Sequence, residues 1–367
     1  MSDVYISRFE NKNQPDTYAD TKIVEAFGLG KCPKLVQQIA GSDLDVRINA
    51  LAVLCEEFRN PYSIEGCARE GAIKVLGKMI KDPDFTTRVR ATNNLALAAM
   101  DANGLSSIIE DEAVVIPQII SGIEDPSEIV REHVYNCLLY LTRSKAGVER
   151  TVAHGVTAAF VNVLWNEIDA LKPVILRALH NTAGSEQGLA EAINLNATRL
   201  CIDLLSKSAT NARDSPTNYS DFEDEIIAES ARTLGFICFD GRAKKQALDN
   251  GAIEHLIALL KVKKLTTQAK ASISIALMAI TSTNDGKIQA GAVEGVEVVI
   301  ALLYDDNKVV VLNTLKIISN LAIYPRNREI LNNDSTCIVK LRKLAKADDK
   351  FVSKHATIAL NAVNWTP

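Results

Sequence analysis

The side chains that could ligate a metal, attack an electrophile or carry a proton are few: five histidines (His133, His154, His180, His255, His355) and seven cysteines (Cys32, Cys55, Cys67, Cys137, Cys201, Cys238, Cys337). A structural zinc site wants four such ligands at short spacing, and the chain has no HExxH, no CxxC pair and no histidine near a cysteine at zinc-finger spacing. His133 and Cys137 lie four apart, so a helix would put both on one face. Two ligands do not close a site, and the pair reads as a histidine beside a core cysteine. "GLGKC" at residues 28–32 has the glycines and lysine of a phosphate loop but lacks both the spaced first glycine and the hydroxyl that would hold magnesium. It reads as a turn between helices. No GxSxG occurs, and no carboxylate pair stands apart from the general acidic surface. The expectation is a non-enzyme with no metal, no cofactor and no small-molecule substrate.

The elements that must position whatever function remains are set by bulk properties first. In 367 residues, 47% are hydrophobic, enough to bury a large core. A formal net charge of -4 offers no global attraction to nucleic acid or to an anionic membrane, which leaves proteins as the expected partners. The cysteines are odd in number and mostly embedded among Leu, Ile and Ala, the usage of a reducing compartment. The polar start "MSDVYISRFENKNQPDTYAD" has no apolar signal core, and no apolar run reaches a membrane-spanning length, so a soluble intracellular protein is expected.

A repeat organises the rest. "NGAIEHLIALL" and "AGAVEGVEVVIALL" say nearly the same thing, and the last apolar residue before each Asp/Asn/Lys-rich break forms a ladder of Ile39, Ile80, Ile123, Leu164, Leu205, Leu260, Leu302 and Leu344. Its spacings are 41, 43, 41, 41, 55, 42 and 42 residues, which is the period of stacked helical units. Each unit holds a short helix, often led by glycine (Gly71, Gly155, Gly251, Gly291) where a positive φ suits a tight turn, then a break, then a longer helix such as "VRATNNLALAAM". The long interval places a surface loop at about 207–222, within "SKSATNARDSPTNYSDFEDE". The expected architecture is all-α, an armadillo/HEAT-like right-handed superhelical solenoid of about eight repeats spanning residues 21–367, after a polar arm at 1–20.

Over residues 24–364 the chain resembles the armadillo family, most clearly in the two glycine-led segments, while the pairs Val46-Arg47, Val89-Arg90 and Val130-Arg131 lean toward the HEAT consensus. Importin-α-type members carry a Trp-x-x-x-Asn ladder that clasps basic peptides. Here Asn181, Asn320 and Asn361 stand where such asparagines would lie, but the residues four before them are Arg177, Lys316 and Thr357. The resemblance therefore disfavours an import receptor and leaves those asparagines as candidate contacts for a protein segment, or as ordinary polar groove positions. Arg90 and Arg131, with Arg47, either pair with preceding carboxylates (Asp45, Glu128) or form a cationic stripe for an acidic partner. Trp365 in the closing "NWTP" either caps the last unit or inserts into a partner.

The stretch "ALAVLCEEFRNPYSIEGCAREGAIKVLGKMIKDPD" with "VRATNNLALAAM" is similar to the radial spoke armadillo proteins, through Leu54, Cys55, Asn60, Pro61, Tyr62, Gly71, Lys81 and Asp82. That resemblance implies a structural subunit of the ciliary or flagellar axoneme, in the cytoskeleton of the cytoplasm, with other radial spoke proteins as partners. The alternative is a cytosolic or nuclear armadillo adaptor that binds peptide segments of its partners.

Overall fold

The computed structural model describes residues 30–214, 221–262 and 265–366. Among them the chain forms 23 α-helices and no strand. The arm at 1–20 lies outside the described residues.

The helices fall into eight units. The first contributes Lys31–Ala40 and the long helix Leu44–Glu57. Each later unit has three helices: for the second they are Pro61–Arg69, Ala72–Lys78 continued by a 3-10 turn at Met79–Lys81, and Phe85–Met100. The long helices of the third to eighth units are Glu128–Leu141, Lys172–Thr182, Asp221–Ile237, Thr267–Ile280, Lys308–Leu321 and Lys350–Val363. Each packs against the long helix of the next unit, so one apolar core runs the length of the array. Six of the ladder residues, Ile39, Ile80, Ile123, Leu164, Leu205 and Leu302, are buried, as a stack that hides each unit's apolar face on its neighbours requires.

Three details differ from the sequence reading. The stretch after each long helix is a separate nine-residue helix, as at Pro61–Arg69, Ala102–Glu110, Lys145–Ala153 and Glu186–Asn194. The positive φ assigned to Gly291 sits instead at Glu294 (φ 58), three residues on, because Gly291 is still inside the helix Asn284–Ala292; Gly71, Gly155 and Gly251 do adopt it. In the fifth unit Ala197–Asp214 runs for 18 residues and the long helix begins at Asp221, so the described parts of the expected loop are helical, and 215–220 lie outside the described residues.

Five of the long helices start on side-chain caps. Asp43, Asp84, Thr266, Asn307 and Asp349 each accept a hydrogen bond from a first-turn backbone N–H, contacts of about 1 kcal/mol each. No helix among the described residues is long and apolar enough to cross a membrane.

Candidate functional site

The cations at the starts of the long helices build the junctions between units. Arg47 reaches forward to Asp82 at 2.8 Å while its guanidinium also donates to the Gly41 carbonyl. Arg88 does the same one unit on, binding Asp125 at 2.8 Å and the Asp82 carbonyl at 3.0 Å. Arg131 then takes Glu167 with two parallel bonds of 2.9 and 2.8 Å and donates to the Asp125 carbonyl. The result is one chain of charge-assisted hydrogen bonds across the first four units, continued by Arg177 on Glu229 and by Lys270 on Asp305.

This corrects two expectations. The arginines pair with carboxylates of the following unit, not with Asp45 and Glu128. Arg90 is two residues out of register with the ladder, which Arg88 fills; Arg90 instead donates to the Ile48 carbonyl of the preceding unit. Arg131 is held on all sides: Glu167 is buried, accepts a third bond from the Tyr135 hydroxyl at 2.6 Å, and a fourth from the Ile168 N–H at 2.9 Å. Burial by itself would raise the Glu167 carboxyl, but the bonds from Arg131, Tyr135 and the backbone outweigh it and hold the group below the usual carboxylate range. Burial pushes the Tyr135 hydroxyl up for the complementary reason.

The asparagines divide. Asn320 spends its amide on the Met278 carbonyl (3.2 Å) and the Thr281 hydroxyl (3.4 Å) at the end of the preceding long helix. Asn181 makes the same backward contact to the Thr142 hydroxyl at 3.4 Å but also lines an open cavity. Asn361 is exposed on the last long helix. Trp365, 56% exposed, lies with the Arg328 guanidinium 4.8 Å from its ring centroid, which folds the tail back on the last unit. His133 and Cys137 both turn toward the second unit: the ring nitrogen is 3.4 Å from the Thr92 hydroxyl, and the thiol donates to the Leu95 carbonyl. Of "GLGKC", Gly30 caps the first described helix and residues 28 and 29 lie outside the described residues.

The cavity beside Asn181 is a feature the sequence reading missed. It is about 670 Å³, opens between the C-terminal ends of the third and fourth long helices, and is lined by Arg143, Lys145, Glu149, His180, Asn181 and Phe236. Around it the Arg143 guanidinium stacks on Tyr140 at 4.8 Å, His180 meets Phe236 edge-on at 4.8 Å, and Phe236 meets Phe239 at 6.4 Å. Phe239 is 62% exposed although it belongs to this cluster. The His180 Nδ1 is buried without a hydrogen-bond partner, and burial, with Arg232 nearby, lowers its pKa to about 4. A neutral imidazole, three aromatic rings and one stacked guanidinium make a surface for apolar and aromatic side chains, with polar groups at its rim. The sequence signal existed: counted four residues back from the cap of the next unit, Tyr140, Asn181 and Phe236 occupy one position.

Compared with known proteins, the chain matches no family model. It is similar to radial spoke protein 14 of Chlamydomonas reinhardtii, 25% identical over 259 residues that make up 69% of this chain and 65% of that protein. The chain thus spans just under two thirds of the curated relative it matches. The resemblance drawn from the first two units is borne out by this similarity. Among solved structures, an engineered protein superposes with a TM-score of 0.79 at 20% identity, covering 92% of this chain and 79% of its own. A computationally designed armadillo repeat protein for modular peptide recognition superposes with a TM-score of 0.57 at 18% identity, covering 68% of this chain and all of its own. A second designed armadillo repeat protein, in complex with the peptide (KR)4, gives the same TM-score and identity over 68% of this chain and 99% of its own. The fold is an all-α armadillo-type solenoid.

Proposed function

We propose that the chain is a non-catalytic structural subunit of the ciliary or flagellar axoneme, a radial spoke component that holds other spoke subunits against its solenoid surface. The observation that carries this reading is the similarity to radial spoke protein 14. The long helices supply the scaffold, and the cavity lined by Arg143, His180, Asn181 and Phe236, with the rings of Tyr140 and Phe239 beside it, is the contact we assign to a partner segment bearing apolar or aromatic side chains. Asn181 belongs to that contact, and the exposed Asn361 and Trp365 mark a second at the end of the array. Arg90, Arg131 and Asn320, tied into inter-unit bonds, enter it only through the shape they maintain. No nucleic acid, membrane or small molecule is needed for this role.

A second reading is favoured by the designed armadillo protein bound to the peptide (KR)4: an adaptor in cytosol or nucleus that takes peptide segments transiently. The two separate on fractionation. In ciliated cells expressing the tagged chain, the structural reading expects it to stay with the axoneme through detergent and high salt. Phe239→Asp with Arg143→Glu, both at exposed positions, should release it while circular dichroism and Tm of the purified protein stay unchanged. Recovery of the unaltered chain in the detergent extract would sink the axonemal reading and leave the adaptor. Retention of the double variant would move the contact away from the cavity.

A further inference from the structure

The first two units bring together a pair of thiols that the solenoid does not otherwise use. Cys32 sits in the first turn of Lys31–Ala40 and Cys67 near the end of Pro61–Arg69, 35 residues apart in sequence, with their sulfurs 2.6 Å from each other. The Cys32 sulfur lies 4.0 Å from the Ser63 carbonyl, and at Gly66 the position of a missing Cβ lies 3.4 Å from it. The pair is asymmetric: Cys67 is fully buried, whereas Cys32 is partly exposed. Its lip is polar, since Lys31 pairs with Glu57, which also accepts from the Ser63 hydroxyl at 2.9 Å.

We propose that Cys32 and Cys67 are a reversible oxidation site, in which a hydroperoxide converts the two thiols into a disulfide that staples the first unit to the second. The chemistry runs in two steps. The Cys32 thiolate attacks the peroxide, an S–O bond forms as the O–O bond breaks, and the sulfur loses two electrons to give a sulfenic acid while the peroxide is reduced to water or an alcohol. The Cys67 sulfur then attacks that sulfur: the S–S bond forms, the S–O bond breaks, and the hydroxide leaves as water with the Cys67 proton.

Exposure assigns the first step to Cys32, and proximity assigns the second to Cys67. Burial and the hydrogen bond with Cys32 raise the Cys67 thiol well above its ordinary range, which makes it a poor first nucleophile and a resolving partner that works because it is already in place. The remaining cysteines offer no such pair to solvent: Cys137, Cys201, Cys238 and Cys337 are buried, and Cys55, half-buried, is taken up by the Asn93 amide at 3.3 Å. Closing a loop of this length restrains the unfolded chain more than the folded one.

The test uses the full-length protein, reduced, then treated with a small excess of hydrogen peroxide, blocked with iodoacetamide and digested with trypsin. The expected product is a disulfide joining the peptide 32–34 to the peptide 60–69, lost on treatment with dithiothreitol, together with a higher Tm for the oxidised form. Cys32→Ser should abolish both the link and the Tm shift, and Cys55→Ser should leave both intact. The proposal is overturned if Cys32 accumulates as sulfinic acid beside a carbamidomethylated Cys67. It is equally overturned if the recovered disulfides join other cysteines or two copies of the chain. Circular dichroism of each variant separates loss of the link from loss of the fold.

Discussion

Arg131, Glu167 and Tyr135 show what one buried junction demands of its members. Glu167 keeps 2% of its side-chain surface and Arg131 16%, so the two halves are not equivalent. Arg131→Met strands a buried carboxylate with only Tyr135 and a backbone N–H, and should lower stability by about 3 to 5 kcal/mol. Glu167→Gln should cost less, because the guanidinium keeps the Asp125 and Pro126 carbonyls; urea melts of both variants and of the pair should show a double-variant cost below the sum. Equal costs, or additive ones, would mean that the network is not the unit it is drawn as. The pH dependence carries two signs to be worked out. Glu167 has a folded pKa below its unfolded value, so its contribution is present above the ordinary carboxylate range and is lost as pH falls through the lowered value. His180, depressed to about 4 from an ordinary 6.5, stays neutral in the folded state while the unfolded chain takes up a proton. Stability should therefore fall as pH drops from 6.5 toward 4, by up to about 3 kcal/mol at this one group. His180→Leu should flatten that segment of a Tm-against-pH curve; an unchanged slope would assign it to other groups, with Arg143, Lys145, Glu149 and Glu186 the charges around the cavity. What could be read from residues alone was that Arg47 and Arg131 matter in series. Their partners could not be read, because an arginine that closes its own turn and reaches the next unit's turn depends on a junction set by packing, and the neighbouring arginines at 88 and 90 both fit a helical period.

At the scale of elements, the second helix of each unit and the long helix were legible from apolar periodicity, and the first helix was not. The first helices carry fewer apolar residues, as in Lys145–Ala153 and Gly241–Asp249, and each run merges with the end of the preceding long helix. Its signal lies in the turn: Asp101, Ser144, Ser185 and Thr283 each cap a helix whose third residue is glycine. Gly147 explains the pairing. A Cβ there would sit 1.9 Å from the Leu141 carbonyl oxygen, because the chain reverses so sharply that the new helix starts against the end of the old one. Glycine to alanine inside a helix ordinarily stabilises by up to about 1 kcal/mol. Gly147→Ala should reverse that sign and destabilise by about 2 kcal/mol or more, through a clash that only backbone movement relieves. Gly241→Ala, at the start of Gly241–Asp249 with nothing within 4 Å of its Cβ position, is the matched control and should be neutral or slightly stabilising. Differential scanning calorimetry on the two variants decides it; similar Tm values would show that the turn yields without cost.

For the whole molecule, the ladder of apolar residues carried the architecture because every unit repeats the same burial problem, and each solution is a local one. The cavity was not legible for the opposite reason. Tyr140, His180 and Phe236 come from three different units, and only the stacking of the long helices brings them to one place. The same nearest-neighbour logic makes the ends of the array separable from its middle. The last unit buries Val352, Ala356, Ala359 and Val363 along one face of its long helix, adds the Lys308–Asp349 pair, and is closed by Trp365 on Arg328. Removing only residues 365–367 takes away the ring and should lower stability by about 0.5 to 1 kcal/mol. Removing residues 325–367 takes away one unit of eight and uncovers the apolar side of the seventh, whose Ile317 and Leu321 are fully buried in the intact chain. The shortened protein should keep its helical circular dichroism per residue, lose Tm, and show a guanidinium m-value reduced by roughly one eighth, since m follows the surface exposed on unfolding. Complete loss of helicity would mean that the array folds only as a whole and that its C-terminal unit nucleates it. An unchanged Tm and m-value would mean that the last unit is not docked, and with it the cap formed by Trp365 would have to be abandoned.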